Sequence, residues 1–264
     1  MSGTARAAPP QRTAVRATID LNADVGEGFD DAALFPYLTS ASVACGGHAG
    51  DDDVIRRTLE AARARSVAVG AHPGFADRAS FGRRVATRDP AAIAGLVREQ
   101  VEHLVQLAAE AGVRVSFVKP HGALYNLAAE DDGVAAAIAG AVRGALPGVP
   151  LVLLAGSRAL AVASREGVRA VAEGFVDRAL LASGALAPRD RPGACLSDPE
   201  EAARRAVAIA CHGRAPTVDG GTIAIAAETL CLHGDGPAAL AIARTTHERL
   251  AAAGIAVAPF VEGT

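Results

Sequence analysis

From about residue 18 onward, short apolar runs alternate with longer stretches of helical periodicity. The runs that predict strands are Thr18–Asn22, Ser42–Gly46, Val67–Ala71, Arg114–Val118, Leu151–Leu154, Val168–Val171, Thr222–Ala226, Thr229–Leu232 and Ile255–Ala258. The clearest helix between them spans Pro90–Ala111. Asp89 is placed to cap it, Pro90 has the dihedral angle a first helical residue needs, and Ile93, Leu96, Val97, Val101, Leu104 and Ala108 form one apolar stripe. Gly112 then ends it. Ser197 or Asp198 before Pro199 opens another helix, and Asp235 with Pro237 opens the last. Repeated strand-then-helix units require parallel strands with helical crossovers, hence an α/β fold whose helices cover the sheet. A closed barrel and a doubly wound sheet both satisfy this pattern. With no internal repeat and no low-complexity linker, residues 18–264 read as one domain. Residues 1–17 carry positive charge without the apolar run of a secretory signal and read as a mobile tail.

Composition narrows the classes. Of 264 residues, 26 are Lys or Arg and 29 are Asp or Glu, a net charge of −3 that argues against a nucleic-acid partner. Half the chain is hydrophobic, but 63 residues are Ala and 3% are aromatic, so the core must be built from Val, Leu, Ile and Ala. No run approaches the roughly 18 apolar residues of a membrane span. Cys45, Cys195, Cys211 and Cys231 are far apart and form no C-x-x-C pair, which fits reduced thiols in a cytoplasm rather than a disulfide framework or zinc knuckle.

The chemically unusual residues each follow a predicted strand: Asn22, Asp24 and Glu27; His48; His72; Lys119, His121, Tyr125 and Asn126; Glu173, Asp177 and Arg178; His233 and Asp235. In a parallel barrel those strand ends share the face that carries catalysis. Period-2 alternation in the first strand turns Ile19, Leu21 and Ala23 one way and Asp20, Asn22 and Asp24 the other, toward a barrel interior where a carboxylate needs a partner. The competing reading is that Asp20 and Asp24 bond loop amides around Gly26 and Gly28. The chain has 25 arginines and one lysine, Lys119, so that position asks for a compact ammonium. Its two asparagines, Asn22 and Asn126, fall in the same strand-end segments. Asp51 and Asp235 each follow a His-containing strand end and double as helix caps. His103, His212 and His247 lie within or beside helices and read as solvent-facing or structural. Asp24, His48 and His72 together suit a divalent metal, though no spacing fixes it. Neither a P-loop nor a G-x-S-x-G elbow is present.

The segments IDLNADVGEGF, ACGGHAGD, GAHPGFAD with FGRR, VKPHGALYN, EGFVDRAL and CLHGD, in that order from residue 19 to 235, resemble the LamB/YcsF family, the A subunits of 5-oxoprolinases. The resemblance implies a distorted seven-stranded β/α barrel similar to that of polysaccharide deacetylases, whose Asp-His-His site keeps a divalent metal in view. It further implies ATP-dependent hydrolysis of 5-oxo-L-proline to L-glutamate with two partner subunits, B and C. Gly47, Asp52, Ser80, Val176 and Leu180 depart from the family pattern; the polar candidates do not. Under this reading Asp24 is a general base toward water, Lys119 neutralises a substrate carboxylate or oxyanion, and His121 or His72 moves a proton. Asn22, His48, Tyr125, Asn126, Glu173, Arg178, His233 and Asp235 orient these groups or the ligand. ATP sits on the partners, or here through Lys119, Arg83 and Arg84. The alternatives are a metal-dependent amidohydrolase or deacetylase using Asp24, His48 and His72, and a subunit that only delivers the lactam.

Overall fold

A computed structural model describes residues 18–261. The expected tail, residues 1–17, lies outside the described residues. Seven parallel strands close into a barrel in the order β1 (Thr18–Val25), β2 (Ser40–Ala44), β3 (Ala68–His72), β4 (Val115–Val118), β5 (Leu151–Leu154), β6 (Ala170–Phe175) and β9 (Thr229–His233), with β9 returning to β1. The expectation of a distorted seven-stranded β/α barrel is met. The distortion is local: β4 and β5 share one register pair, Val118 with Leu151, and the β3–β4 register shifts at Val69/Gly70. The last strand, β10 (Ala256–Val257), pairs with the start of β1 outside the ring.

One expected strand has a different role. Residues 222–224 do form a strand, β8 (Thr222–Ala224), but it pairs antiparallel with β7 (Arg214–Pro216) as a separate ribbon. Its pairing partner is only three residues long, too short to stand out as a periodic run.

The helices follow their local signals. In α1 (Asp52–Ala64) Asp51 accepts from the Val54 amide. In α2 (Pro90–Glu110) Asp89 accepts from Ala91 and Ala92, and Ile93, Val97, Val101, Leu104 and Ala108 are buried. The shorter helices α3 (Gly122–Glu130), α4 (Asp132–Ala145) and α5 (Ala159–Arg165) complete that side. Asp198 caps α6 (Pro199–His212) through the Glu200 amide. The final helix, α7 (Ala239–Ala252), corrects one expectation: it starts at Ala239 without a side-chain cap, and Asp235 turns instead to Arg83 and Arg189. No helix among the described residues is long and apolar enough to cross a membrane, and all four cysteines are free.

Strand register sorts side chains into two sets. Ile19, Leu21 and Ala23 join the large apolar cluster under the helices. The alternate residues stack by register across the interior: Asp20 beside Thr229, Asn22 beside Ser40 and Cys231, Asp24 beside Ser42 and His233, Ala44 beside His72. The lower interior is filled by Phe117 with Val152 and Val171, closed by Phe260. Room for the Phe117 ring comes from Gly70, where an added Cβ would meet the ring at 2.1 Å. Helices outside and Phe117 below leave the polar side chains in the upper interior, the end at which such barrels carry chemistry.

Candidate active site

Lys119, one residue past β4, sits at the centre of the interior and is 2% exposed. Its Nζ lies 2.7 Å from Asp24 Oδ1, 2.9 Å from Glu173 Oε1, 3.3 Å from Asn22 Oδ1 and 3.0 Å from Cys231 Sγ. An ammonium has three N–H donors, so these four acceptors saturate it. Burial opposes the charge on Lys119, but Asp24 and Glu173 outweigh it and raise the pKa well above the usual value. Burial likewise works against an ionised Asp24, yet His72 and Lys119 prevail and hold its carboxyl well below the usual range. Asn22 ties this layer to the next by donating to Glu173 Oε1 (3.1 Å) and Thr229 Oγ1 (2.6 Å). Beneath, Asp20 accepts from Thr39, Ser40 and Thr229; burial pushes it up to about 6 despite those hydroxyls. The loop amide at Gly26 is held by Asp31 at 2.7 Å, not by Asp20 or Asp24.

Three imidazoles meet beside Asp24. His72 Nδ1 donates to the Lys119 carbonyl (2.8 Å), and His121 Nε2 donates to the Phe81 carbonyl (2.9 Å). Each bond fixes a tautomer, since a carbonyl only accepts. The remaining nitrogens, His72 Nε2 and His121 Nδ1, lie 2.9 Å apart, so they share one proton when the pair is charged and present lone pairs to each other when it is neutral. Burial and the neighbouring His72 and His48 rings keep His121 neutral, its pKa well below the ordinary value. The His48 ring stacks on His121 at 3.7 Å, with Nε2 3.0 Å from Glu27 Oε1 and Nδ1 without a partner among the described residues. Glu27 Oε1 is also 3.3 Å from His121 Nδ1 and 3.9 Å from His72 Nε2. Glu27, His48, His72 and His121 thus each offer one ligand atom, all within 4.8 Å of one another, a donor set that fits a divalent cation such as zinc. Asp24 belongs to a second such group with Cys231 and His233.

A cavity of about 820 Å³ opens above these groups. Asp24, His72, Lys119, His121, Tyr125, Asn126, Arg178 and His233 all line it. Asn22, Glu173 and His48 lie behind that wall, and Asp235 lies beside it, bonded to Arg83. Tyr125 packs edge-on against Phe175, whose other neighbour is the His233 ring. Burial would lower His233, but its Nδ1–H donates to Asp177 at 3.0 Å and the pair raises its pKa. The sequence model of the LamB/YcsF family matches residues 19–264. The chain belongs to the LamB/YcsF family.

The chain is 47% identical to the A subunit of 5-oxoprolinase from Heliobacterium modesticaldum over 93% of its own length and 99% of that protein's. It is 45% identical to the A subunit of 5-oxoprolinase from Thermus thermophilus, covering 92% and 99%. The crystal structure of a lactam utilization protein, also from Thermus thermophilus, superposes with a TM-score of 0.86 at 43% identity, over 92% of this chain and all of that one. The T48 deacetylase shares the barrel alone, with a TM-score of 0.50 at 16% identity over 92% of this chain and 87% of that one.

Sequence patterns pointed to the strand ends but gave no role to Glu27, Thr229, Cys231 or Arg189. Glu27 lies beyond β1, where strand alternation no longer indicates direction. Its signal is the flanking pair Gly26 and Gly28, whose φ angles of 73° and 96° turn the loop back over the barrel mouth.

Proposed function

We propose that this chain is the ring-opening subunit of an ATP-dependent 5-oxoprolinase, acting with subunits B and C to convert 5-oxo-L-proline to L-glutamate. The observation that carries the reading is an ionised carboxylate, Asp24, fixed by Lys119 and facing both a cavity and an imidazole pair. The relatives' names supply the substrate class. A lactam resists water because resonance stabilises its amide; transfer of the ATP γ-phosphoryl group to the lactam oxygen removes that resonance. Asp24 takes a proton from a water whose oxygen bonds the ring carbonyl carbon; that proton passes to His72 Nε2, 3.3 Å from Asp24, and the C–N bond breaks as the nitrogen accepts it from the His72–His121 pair. The resulting acyl phosphate is hydrolysed by a second water to L-glutamate and phosphate. Lys119 has no N–H to spare for the ligand, so in this reading it acts by keeping Asp24 ionised and aligned. Tyr125, Asn126, Arg178 and His233 bound the ligand.

The test is glutamate release from 5-oxo-L-proline and ATP by the three-subunit complex. Asp24→Asn that still folds should lower turnover at least ~100-fold, the usual scale for a general base. Wild-type turnover in that variant would remove Asp24 from the mechanism, and a change confined to KM would mean the chain only delivers the lactam.

The facing lone pairs of His72 and His121 favour a second reading, a metal-dependent hydrolase. Glu27, His48, His72 and His121 would hold the ion, which supplies Lewis acidity and an activated water when bound. Titrating zinc into chelator-treated chain and measuring metal content and melting temperature decides it. One equivalent bound by the wild type and lost in His121→Ala supports this reading, whereas no binding eliminates it.

A further inference from the structure

Four arginines, Arg83, Arg158, Arg178 and Arg189, line the cavity above Asp24, against only two carboxylates, Asp24 and Glu130. Asp24 is already engaged by Lys119. Arg158 points outward to Asp132 at 3.0 Å and is mostly exposed. The other three guanidiniums crowd one wall. Arg83 Nη2 is 2.7 Å from Asp235 Oδ2, and Arg189 Nη1 is 3.5 Å from the same oxygen, so one carboxylate serves two cations. Arg178 is 7% exposed; its Nη2 donates to the Ala187 carbonyl at 2.7 Å, and its Nε has no partner among the described residues. Its acidic neighbour Asp177 is occupied by the His233 amide and ring. Burial, and then repulsion from Arg189 and Arg83, weakens the hold of Arg178 on its proton. A buried donor without an acceptor, in a cluster with excess positive charge, is costly unless a ligand completes it.

We propose that Arg178, Arg189 and Arg83 form a phosphoryl-binding subsite in the cavity wall, holding the phosphoryl group of a ligand whose carbonyl carbon faces Asp24. This rests on the ring-opening reading above. Planar guanidinium forks match the several oxygens of a phosphoryl group, and its two negative charges match what Asp235 leaves unneutralised. Lys119 is saturated and the chain carries no P-loop, so within this cavity the task falls to the arginines. The phosphoryl group could arrive on a nucleotide or on the phosphorylated lactam itself.

Calorimetric titration of the full chain alone, with inorganic phosphate, acetyl phosphate, ATP and 5-oxo-L-proline, tests this. Phosphate should bind the wild type, and Arg189→Gln and Arg178→Lys should each weaken it at least tenfold, while Arg189→Gln changes 5-oxo-L-proline affinity less than twofold. Arg189 is partly exposed, so its variant is expected to fold even if the Arg178 variant does not. Displacement of phosphate by ATP supports a nucleotide source; displacement by acetyl phosphate but not ATP supports a phosphorylated substrate. No phosphate binding, wild-type phosphate affinity in Arg189→Gln, displacement by neither probe, or an equal loss of 5-oxo-L-proline affinity in Arg189→Gln would overturn the subsite. Because no partner and no turnover are involved, failure here leaves the glutamate-release test standing, and the reverse.

Discussion

Lys119→Met removes one charge from the centre of the barrel while keeping most of the side-chain volume, and leaves Asp24 and Glu173 facing each other without a cation. With contacts of 2.7 and 2.9 Å, Coulomb's law at an effective dielectric of about 20 gives about 6 kcal/mol for each. The variant no longer desolvates an ammonium, and one carboxyl can take a proton. Those two offsets bring the net loss to about 3–5 kcal/mol, the range for breaking a buried ion pair from one side. The sign with pH follows. In the wild type Asp24 is depressed, so its contribution is present above the unfolded value of about 3.9 and lost as pH falls through the folded pKa. In the variant a buried carboxyl without its cation is raised, so the destabilisation is full near neutrality and shrinks as pH falls toward 5. Urea unfolding followed by circular dichroism between pH 5 and 8 reads this directly. The double variant Lys119→Met/Asp24→Asn should recover at least half the loss at pH 8. A loss under about 1 kcal/mol at pH 8, or one unchanged across that range, refutes the electrostatic account.

Gly70→Ala places a methyl 2.1 Å from the Phe117 ring in the packed lower barrel, and should destabilise by about 1–3 kcal/mol or more; an unchanged melting temperature would mean the ring can swing aside. His233 is raised chiefly because Asp177 outweighs its burial, so its stabilisation is full below the unfolded value of about 6.5 and fades as pH rises through the folded pKa. Asp177→Asn should lower the His233 titration seen by NMR by about one unit or more, equivalent to about 1.4 kcal/mol, and an unshifted titration would show that another group sets it.

Patterns that act over a few residues were legible in the sequence: which segments form strands, where Asp51, Asp89 and Asp198 start helices, and that the reactive side chains follow strand ends. The period-2 alternation of β1 even sorted Asp20, Asn22 and Asp24 from Ile19, Leu21 and Ala23, because neighbouring Cα–Cβ bonds on a strand must point oppositely. What needed the folded chain was every relation between distant segments. Closure of β9 onto β1 makes a barrel where an open sheet had fitted equally well. It brings Lys119 within reach of Asp24, 95 residues earlier, and Glu173, so the single lysine is a buried counter-ion with no donor left over. It moves Asp235 from a helix cap to the arginines and turns Glu27 in among three imidazoles. Local periodicity and capping depend on a few adjacent bonds, whereas charge pairing depends on distances set by the closure and register of the whole sheet.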